Sequence, residues 1–474
     1  MRSRMWAAAG VLALLSSWSY FFPQPPRMGP LARLETVPRR TLVFAPHSDD
    51  EVVAAGGLLA DLEAQGAQPR VVLVTSGDGF KVGAEIYHRG PVLPERMVEY
   101  GRHRLGESRS ALARLGLPQE RLIFLGFPDG GLHRLWGEYW QPDRLYTSPT
   151  TRFNRVPYAE ARRVGVPYSG RTLLGELIDI LRETRPAVVV YPHPNESHVD
   201  HWALSNFVTA ALEELRRTEP DWEPPAEWFF LVHRGDWPAP KGYRPTEGLL
   251  PPVGLATGMT SWQEHPLNPE QVKRKEEALQ DYRSQTMVLK RYLQSFIRTN
   301  ELFGTIARVK LTGSTEPYPF FPGEKPPWPD LNWVQVITDP RADTVARELE
   351  RGADALSVWA ARNGGMLSLA VPMVSRPRRP VEIRFYVREF HSGQGWGDLA
   401  SVTVQPEGAH RVDAWPAGTG RDLIRAEQRG SWVTVTLPLP AMGEPESVLI
   451  NVETRVDNVL LDRTAWRPVS LDGR

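Results

Sequence analysis

Four times between residues 41 and 191 the chain begins one pattern. A short apolar run, rich in Val, Leu and Ile and without polar alternation, leads into a polar cluster and then into a stretch with helical spacing. The runs are 41–45, 70–75, 121–127 and 187–191, and the helical stretches are 51–65, 95–115, 170–183 and 202–215. Unbroken runs of this length are how strands buried on both faces of a parallel sheet read. Strand and helix in alternation predict an α/β fold, a Rossmann-like, mostly parallel sheet with helices on both faces. A fifth run, 228–233, continues it. Ligands of such sheets bind beyond the carboxyl ends of the strands. The polar clusters fall there: His47-Ser48-Asp49-Asp50-Glu51, then Ser76-Gly77-Asp78-Gly79, Pro128-Asp129-Gly130-Gly131 and residues 193–201.

At 474 residues the chain exceeds one ordinary core, so two globular units are expected. Residues 267–303 read helical, with 273–277 as a solvated charged face. Residues 313–330 hold six prolines and little periodicity, which reads as a linker. Beyond it, 381–388 alternates apolar with mostly polar residues, and 431–437, 448–454 and 459–466 behave alike. Turn signals stand at Asn363-Gly364-Gly365 and Pro416-Ala417-Gly418. These features predict a C-terminal, all-β, sandwich-like accessory domain over 331–474. Trp359, Trp396, Trp415, Trp432 and Trp466 are candidates for stacking on sugars, with the core as the expected place of most.

The first 24 residues read as a signal anchor or signal peptide. Arg2 and Arg4 precede a charge-free run, 5–22, whose bulky aromatic end resembles a membrane-interface belt rather than a small-x-small cleavage site. The expectation is an uncleaved membrane anchor, a Pro/Arg-rich tether over 25–40, and a globular part outside the cytoplasmic membrane. Cleavage and secretion is the alternative. Acidic and basic residues balance at 56 each, which leaves no electrostatic footing for a nucleic-acid partner. Cysteine is absent, so any metal must sit on His, Asp, Glu or backbone oxygen.

One imidazole and three carboxylates within residues 47–51 repel unless a cation or solvent compensates them. Alone, Asp49 or Asp50 would read as the N-cap of the helix that follows. The second cluster holds His193, His198 and His201. His198 and His201, three apart at a helix start, can share a face, one for a metal and one for a substrate. His193 reads as a loop-shaping residue.

Pro46-His47-Ser48-Asp49-Asp50-Glu51 and His198-Val199-Asp200-His201 resemble the (A/P)HxDDE and HxDH motifs of the PIG-L/LmbE-like zinc-dependent N-deacetylases. Phe127-Pro128-Asp129-Gly130 and Tyr282-x-Ser284-Gln285 are similar to further family features. Ser48 departs from the proline often found there, at a position that supplies no ligand. The resemblance covers roughly 41–305 and implies a deacetylase domain over 41–312 that binds one Zn²⁺ per chain. It implies His47, Asp50 and His201 as zinc ligands, Asp49 as general base, and His198 as oxyanion stabiliser or acid. Asp200 would orient a histidine and Glu51 would stand behind the site. Asp129, Asp78 and Arg104 would touch the sugar. The implied partner is an N-acetylated sugar or glycan at the cell surface. Another metal-dependent hydrolase, an amidase or phosphoesterase with two metals, stays open. So does a glycan-binding protein with a vestigial site.

Overall fold

The computed structural model of the chain describes residues 30–34, 37–235, 237–256, 258–311, 325–340, 351–415 and 419–472. The expected anchor, 1–24, and most of the expected linker lie outside the described residues. Among the described residues no helix is long and apolar enough to cross a membrane.

Strands β1 (Ala32–Arg33), β2 (Thr41–Ala45), β3 (Arg70–Thr75), β4 (Leu122–Phe127), β5 (Val188–Pro192), β6 (Ala226–Phe230), β7 (Thr260–Pro266) and β8 (Asn300–Ile306) form one sheet. Their order is β1-β7-β8-β6-β5-β2-β3-β4. Strands β2 to β6 pair in parallel, and β8 runs antiparallel to β6 and β7. Helices α1 (Asp50–Ala64), α2 (Lys81–His88), α3 (Pro94–Arg114), α4 (Leu132–Trp136), α5 (Gly170–Thr184) and α6 (Val199–Thr218) connect the parallel strands, and α7 (Pro269–Leu279) and α8 (Arg283–Leu293) follow. The mostly parallel α/β sheet is as expected. From β2 the chain proceeds through β3 to β4 on one side, and from β5 to β6 on the other. The order therefore reverses between β2 and β5, which opens a crevice at their carboxyl ends. The two histidine-bearing clusters leave these two strands.

Two expectations are corrected. The helical reading of 267–303 ends too late, because Phe303 lies in β8, which pairs with β7 from Asn300↔Pro266 to Ile306↔Thr260. A short apolar run buried on both faces reads alike as helix or strand, and only the pairing decides. Lys275, expected on a solvated face, is 1 % exposed. Its ammonium donates to Val53 O at 2.9 Å and to Glu301 Oε1 at 2.7 Å.

That ion pair holds a break in α1. Ala55 leaves helical geometry (φ −140°, ψ 19°), and the freed amides of Gly57 and Leu58 donate to Glu301 Oε1 and Oε2 at 2.7 and 2.8 Å. Glu301 thus caps the second half of the helix as an N-terminal carboxylate. The glycine pair keeps this side of the helix open: a Cβ at Gly56 would stand 3.3 Å from Lys275, and one at Gly57 2.3 Å from Leu267.

The C-terminal part contains a five-stranded and a seven-stranded sheet. Val358, Leu369 and Val435 of one meet Val387, Val402 and Ile450 of the other in one apolar cluster. All five candidate tryptophans are buried. Phe390, Trp396, Leu449 and Trp466 instead join the core of the α/β sheet. Arg388 is fully buried beside them, its guanidinium 3.8 Å from the ring centre of Trp140 and 4.8 Å from that of Trp136. Residues 32–474 form one compact unit.

Glu301→Ala would leave the Lys275 ammonium buried without its partner and two amides uncapped. The expected loss is about 3–5 kcal/mol in chemical denaturation. Lys275→Met combined with Glu301→Gln, which removes both charges, should lose less. Equal losses would show that the charge pairing is not what holds the break.

Candidate active site

The crevice is lined by the turn from β2 into α1 and by the loop from β5 into α6. Asp50 opens α1 and points its carboxylate inward, where Oδ2 accepts from the backbone N–H of His47 at 3.0 Å. The same oxygen stands 3.1 Å from His47 Nδ1 and 3.0 Å from His201 Nε2. His201 is fully buried, yet neither ring nitrogen has an aligned hydrogen bond. Two imidazole nitrogens and one carboxylate oxygen that converge at contact distance are the donors a shared cation requires. Further donor sets overlap this one: His47, His198 and His201, and Asp50, His201 and His233, each have ligand atoms within 4.8 Å of one another. Nitrogen and carboxylate donors without a thiolate suit a divalent cation such as zinc.

Both histidines are backed by carboxylates on their outer nitrogens, as metal-binding histidines are. His47 Nε2 stands 3.2 Å from Asp129 Oδ1 and 3.3 Å from Asp200 Oδ2. Asp200 is fixed in turn by the amides of Gly130 (2.6 Å) and Leu132 (3.0 Å). His201 Nδ1 faces Glu196 Oε1 at 3.4 Å, and Glu196 also accepts from the amides of Val232 (2.6 Å) and His233 (2.8 Å). His198 caps α6: its Nδ1 accepts from Asp200 N–H at 3.3 Å, which leaves the ring proton on Nε2.

Asp49 occupies the N-cap position of α1 but makes no capping bond with its side chain. Its φ of 124° lies where side-chain-bearing residues are rare. Such strain persists only when the surroundings enforce it. Here Glu51 Oε2 accepts the Asp49 N–H at 3.0 Å, and Glu51 Oε1 accepts from Tyr282 OH at 2.7 Å. The fold therefore holds the Asp49 carboxyl free of its ordinary capping role and largely buried, its side chain 12 % exposed.

The electrostatics separate the acids. Burial and the neighbouring Asp50 push the Asp49 carboxyl up to about 8. Burial would also raise Asp50, but His201 and His47 hold it well below the carboxylate range. Burial lowers His198 to about 2, helped by the neighbouring His47 and His201, so its ring is neutral. Burial similarly takes His233 down to about 3.

The residues expected from the sequence are thus brought to one place, with different surroundings for some. Asp129 backs His47 and accepts Gly79 N–H at 2.8 Å. Asp78 is buried and hydrogen-bonded by Tyr158 OH. Arg104 donates to Gly77 O at 3.0 Å and Ser48 O at 2.6 Å, with Asp49 Oδ1 3.8 Å away. These three brace the wall of the site. His193 is buried against Trp262 and bonded to Thr260 Oγ1 at 2.9 Å, away from the convergent nitrogens. Sequence reasoning missed Glu196, His233 and Tyr292, whose hydroxyl lies 3.2 Å from His233 Nδ1. Glu196 lies inside the second cluster and could have been found there. His233 ends a run read only as strand, and Tyr292 has no local signal.

A mostly parallel α/β sheet with a His/Asp cluster at its switch point defines an α/β protein with a candidate metal site. Comparison with known proteins is narrower. The family described as "PIG-L: GlcNAc-PI de-N-acetylase" matches residues 42–212, which include both motifs. The "1D-myo-inositol 2-acetamido-2-deoxy-alpha-D-glucopyranoside deacetylase" of Mycobacterium avium (strain 104) is 32 % identical over 236 residues, 42 % of this chain and 71 % of that protein. The protein of the same name from Mycobacterium sp. (strain KMS) is 31 % identical over 205 residues, 42 % of this chain and 56 % of its own length. A solved N,N'-diacetylchitobiose deacetylase from Pyrococcus horikoshii aligns with 16 % identity over 56 % of this chain and 82 % of that one, at a TM-score of 0.34. The chain belongs to the PIG-L family. With the relative from strain KMS it shares little more than half of that protein's length.

Glu196→Gln should weaken Zn²⁺ binding by about 10–100-fold in a competitive chelator titration, the usual effect of losing a carboxylate behind a ligating histidine. Unchanged affinity would place His201 outside the ligand set.

Proposed function

We propose that the chain is a zinc-dependent hydrolase that removes the N-acetyl group from a GlcNAc-containing glycan or glycoconjugate at the cell surface. The observation that carries this reading is Asp49: a buried carboxyl, backbone-strained and released from capping, beside the point where His47, Asp50 and His201 converge. The family match and the sugar-deacetylase names of the relatives support the acyl substrate. The extracytoplasmic placement rests on Arg2, Arg4 and the charge-free run 5–22.

Amide hydrolysis requires an activated water, a polarised carbonyl and a proton for the departing nitrogen. His47, Asp50 and His201 would hold the zinc, which supplies Lewis acidity toward water and the acyl oxygen. Asp49 takes the proton from the attacking water, and that proton then passes to the leaving amine from Asp49 or by way of His198. His198, neutral and protonated on Nε2, can donate to the oxyanion that develops on the acetyl carbonyl. Glu51, through its bond to the Asp49 amide, keeps the base in place.

A second reading has its own observation. His47, Asp129 and Asp200 also offer ligand atoms within 4.8 Å of one another, which would suit a two-metal amidase or phosphoesterase. Metal content separates the two. One zinc per chain is expected, and two per chain would favour the rival.

Asp49→Ala should lower acetate release from N-acetylated glycans by about 10²–10⁴-fold, the range of a lost general base, while the zinc content stays unchanged. Full activity in that variant would remove Asp49 from the base role. A wild-type chain that carries zinc but releases no acetate across N-acetylglucosamine oligosaccharides and glycoconjugates would overturn the substrate.

A further inference from the structure

Helices α2 and α8 leave the rim of the site side by side. The loop before α2 is tied to the site by the Gly79 amide on Asp129. Helix α8 is tied at both ends, by Tyr282 on Glu51 and by Tyr292 beside His233. Between them, Tyr100 accepts from Gln285 Nε2 at 3.0 Å and lies 5.8 Å from the Tyr87 ring, so the two helices share one support.

Their outer faces are not those of an ordinary soluble surface. On α2, Val82 (53 % exposed), Ile86 and Tyr87 stand out in solvent, and on α8 Met287 (60 %), Val288 and Leu289 do so in direct succession. Helical geometry fails at Leu289 (φ −113°, ψ 17°), which helps to turn three consecutive apolar residues outward. Scattered apolar residues need no explanation, but an unbroken exposed run beside a second apolar helix face marks an interaction surface. The charge on the two helices is mainly cationic: Lys81, Arg89, Arg283, Lys290 and Arg291 are exposed, against Glu85, which faces Lys81 at 3.9 Å, and α8 carries no acid. Glu276 of α7 borders Met287 and Lys290. Protruding apolar side chains beside this excess of cations complement an anionic lipid interface, where the apolar groups enter the acyl boundary and the lysines and arginines meet headgroups.

We propose that the outer faces of α2 and α8 form a docking lip that seats the mouth of the site on an anionic lipid bilayer. A substrate sugar held at that surface would enter the crevice without leaving the interface. The docking is separate from the deacetylase reading, because its test reads insertion rather than chemistry.

The chain has no cysteine, so a single introduced thiol can be labelled uniquely. Met287→Cys and, as control, Val459→Cys in the C-terminal strands are each labelled in the full chain with nitrobenzoxadiazole. They are then mixed with vesicles of phosphatidylcholine containing one third phosphatidylglycerol and an acyl-chain nitroxide lipid. The label at 287 should shift to the blue and be quenched, while the label at 459 keeps its emission in buffer. In the Met287→Cys chain, Lys290→Gln should move the inserted-to-free ratio about fivefold toward free, the effect of one basic residue at such a surface. Equal behaviour of the two labels would overturn the proposal, whatever holds the chain on the vesicle. A label at 287 that is already shielded without vesicles, in proportion to protein concentration, would overturn it in favour of a second copy of the chain.

Discussion

Two imidazole nitrogens approach one oxygen of Asp50, and the rest of the crevice follows from what that convergence needs. Asp49, Asp50, Glu51, Asp129, Asp200 and Glu196, brought together from the chain after β2, β4 and β5, are buried or nearly so. Two unit charges about 4 Å apart repel by about 4 kcal/mol at an effective dielectric of 20, so acids this close must be compensated or keep a proton. The fold disperses the charge by giving each acid different partners. Asp200 receives two amides from the loop after β4. Glu196 receives two from the chain after β6. Asp50 stands between two histidines, and Asp49 has Arg104 at a distance. A divalent cation at the convergent nitrogens would complete the compensation.

Those partners come from backbone that had to be shaped for them. The strained Asp49 exists because the chain turns from β2 into α1 within four residues and must aim His47, Asp49 and Asp50 separately. Glu51, expected only behind the site, reaches back to hold the Asp49 amide and is held by Tyr282 from outside the sheet's parallel part. Helix α1 is interrupted again at Ala55, where Glu301 and Lys275 close it. The helix that begins in the site is therefore fixed at its start by α8 and at its middle by β8 and α7. The C-terminal third of the α/β sheet acts as a clamp on the turn that carries His47, Asp49 and Asp50.

How much of this was legible follows from which contacts are local. Residues 41–45 and 187–191 read as strands because burial on both faces leaves a direct mark on composition, and the two motifs follow them at once. The meeting of His47 with His201 was legible only because strand order in an α/β sheet brings those ends together. Glu301 and Lys275 could not be read, since a buried ion pair 26 residues apart looks like two ordinary surface charges until the fold packs it against the break in α1. Phe303 was misread for a similar reason, because hydrophobic content does not distinguish a central strand from a buried helix. His233 and Tyr292 owe their place to the meeting of α8 with the chain that leaves β6, which no spacing in the sequence encodes.

The C-terminal β region has the same relation to the site at longer range. Arg388 enters the α/β core from a strand of that region, and burial holds its guanidinium down to about 9. Its cost is offset by the faces of Trp140 and Trp136 and by the carbonyls of Trp136 and Gly397. Trp136 ends α4, and α4 begins at Leu132, whose amide fixes Asp200. Asp200 in turn backs His47. A continuous chain of contacts thus runs from a fully buried arginine outside the family-matched residues to the outer nitrogen of a candidate metal ligand. Arg388 touches none of the candidate site residues. The contacts between them pass through a five-residue helix too short to hold its own geometry without packing.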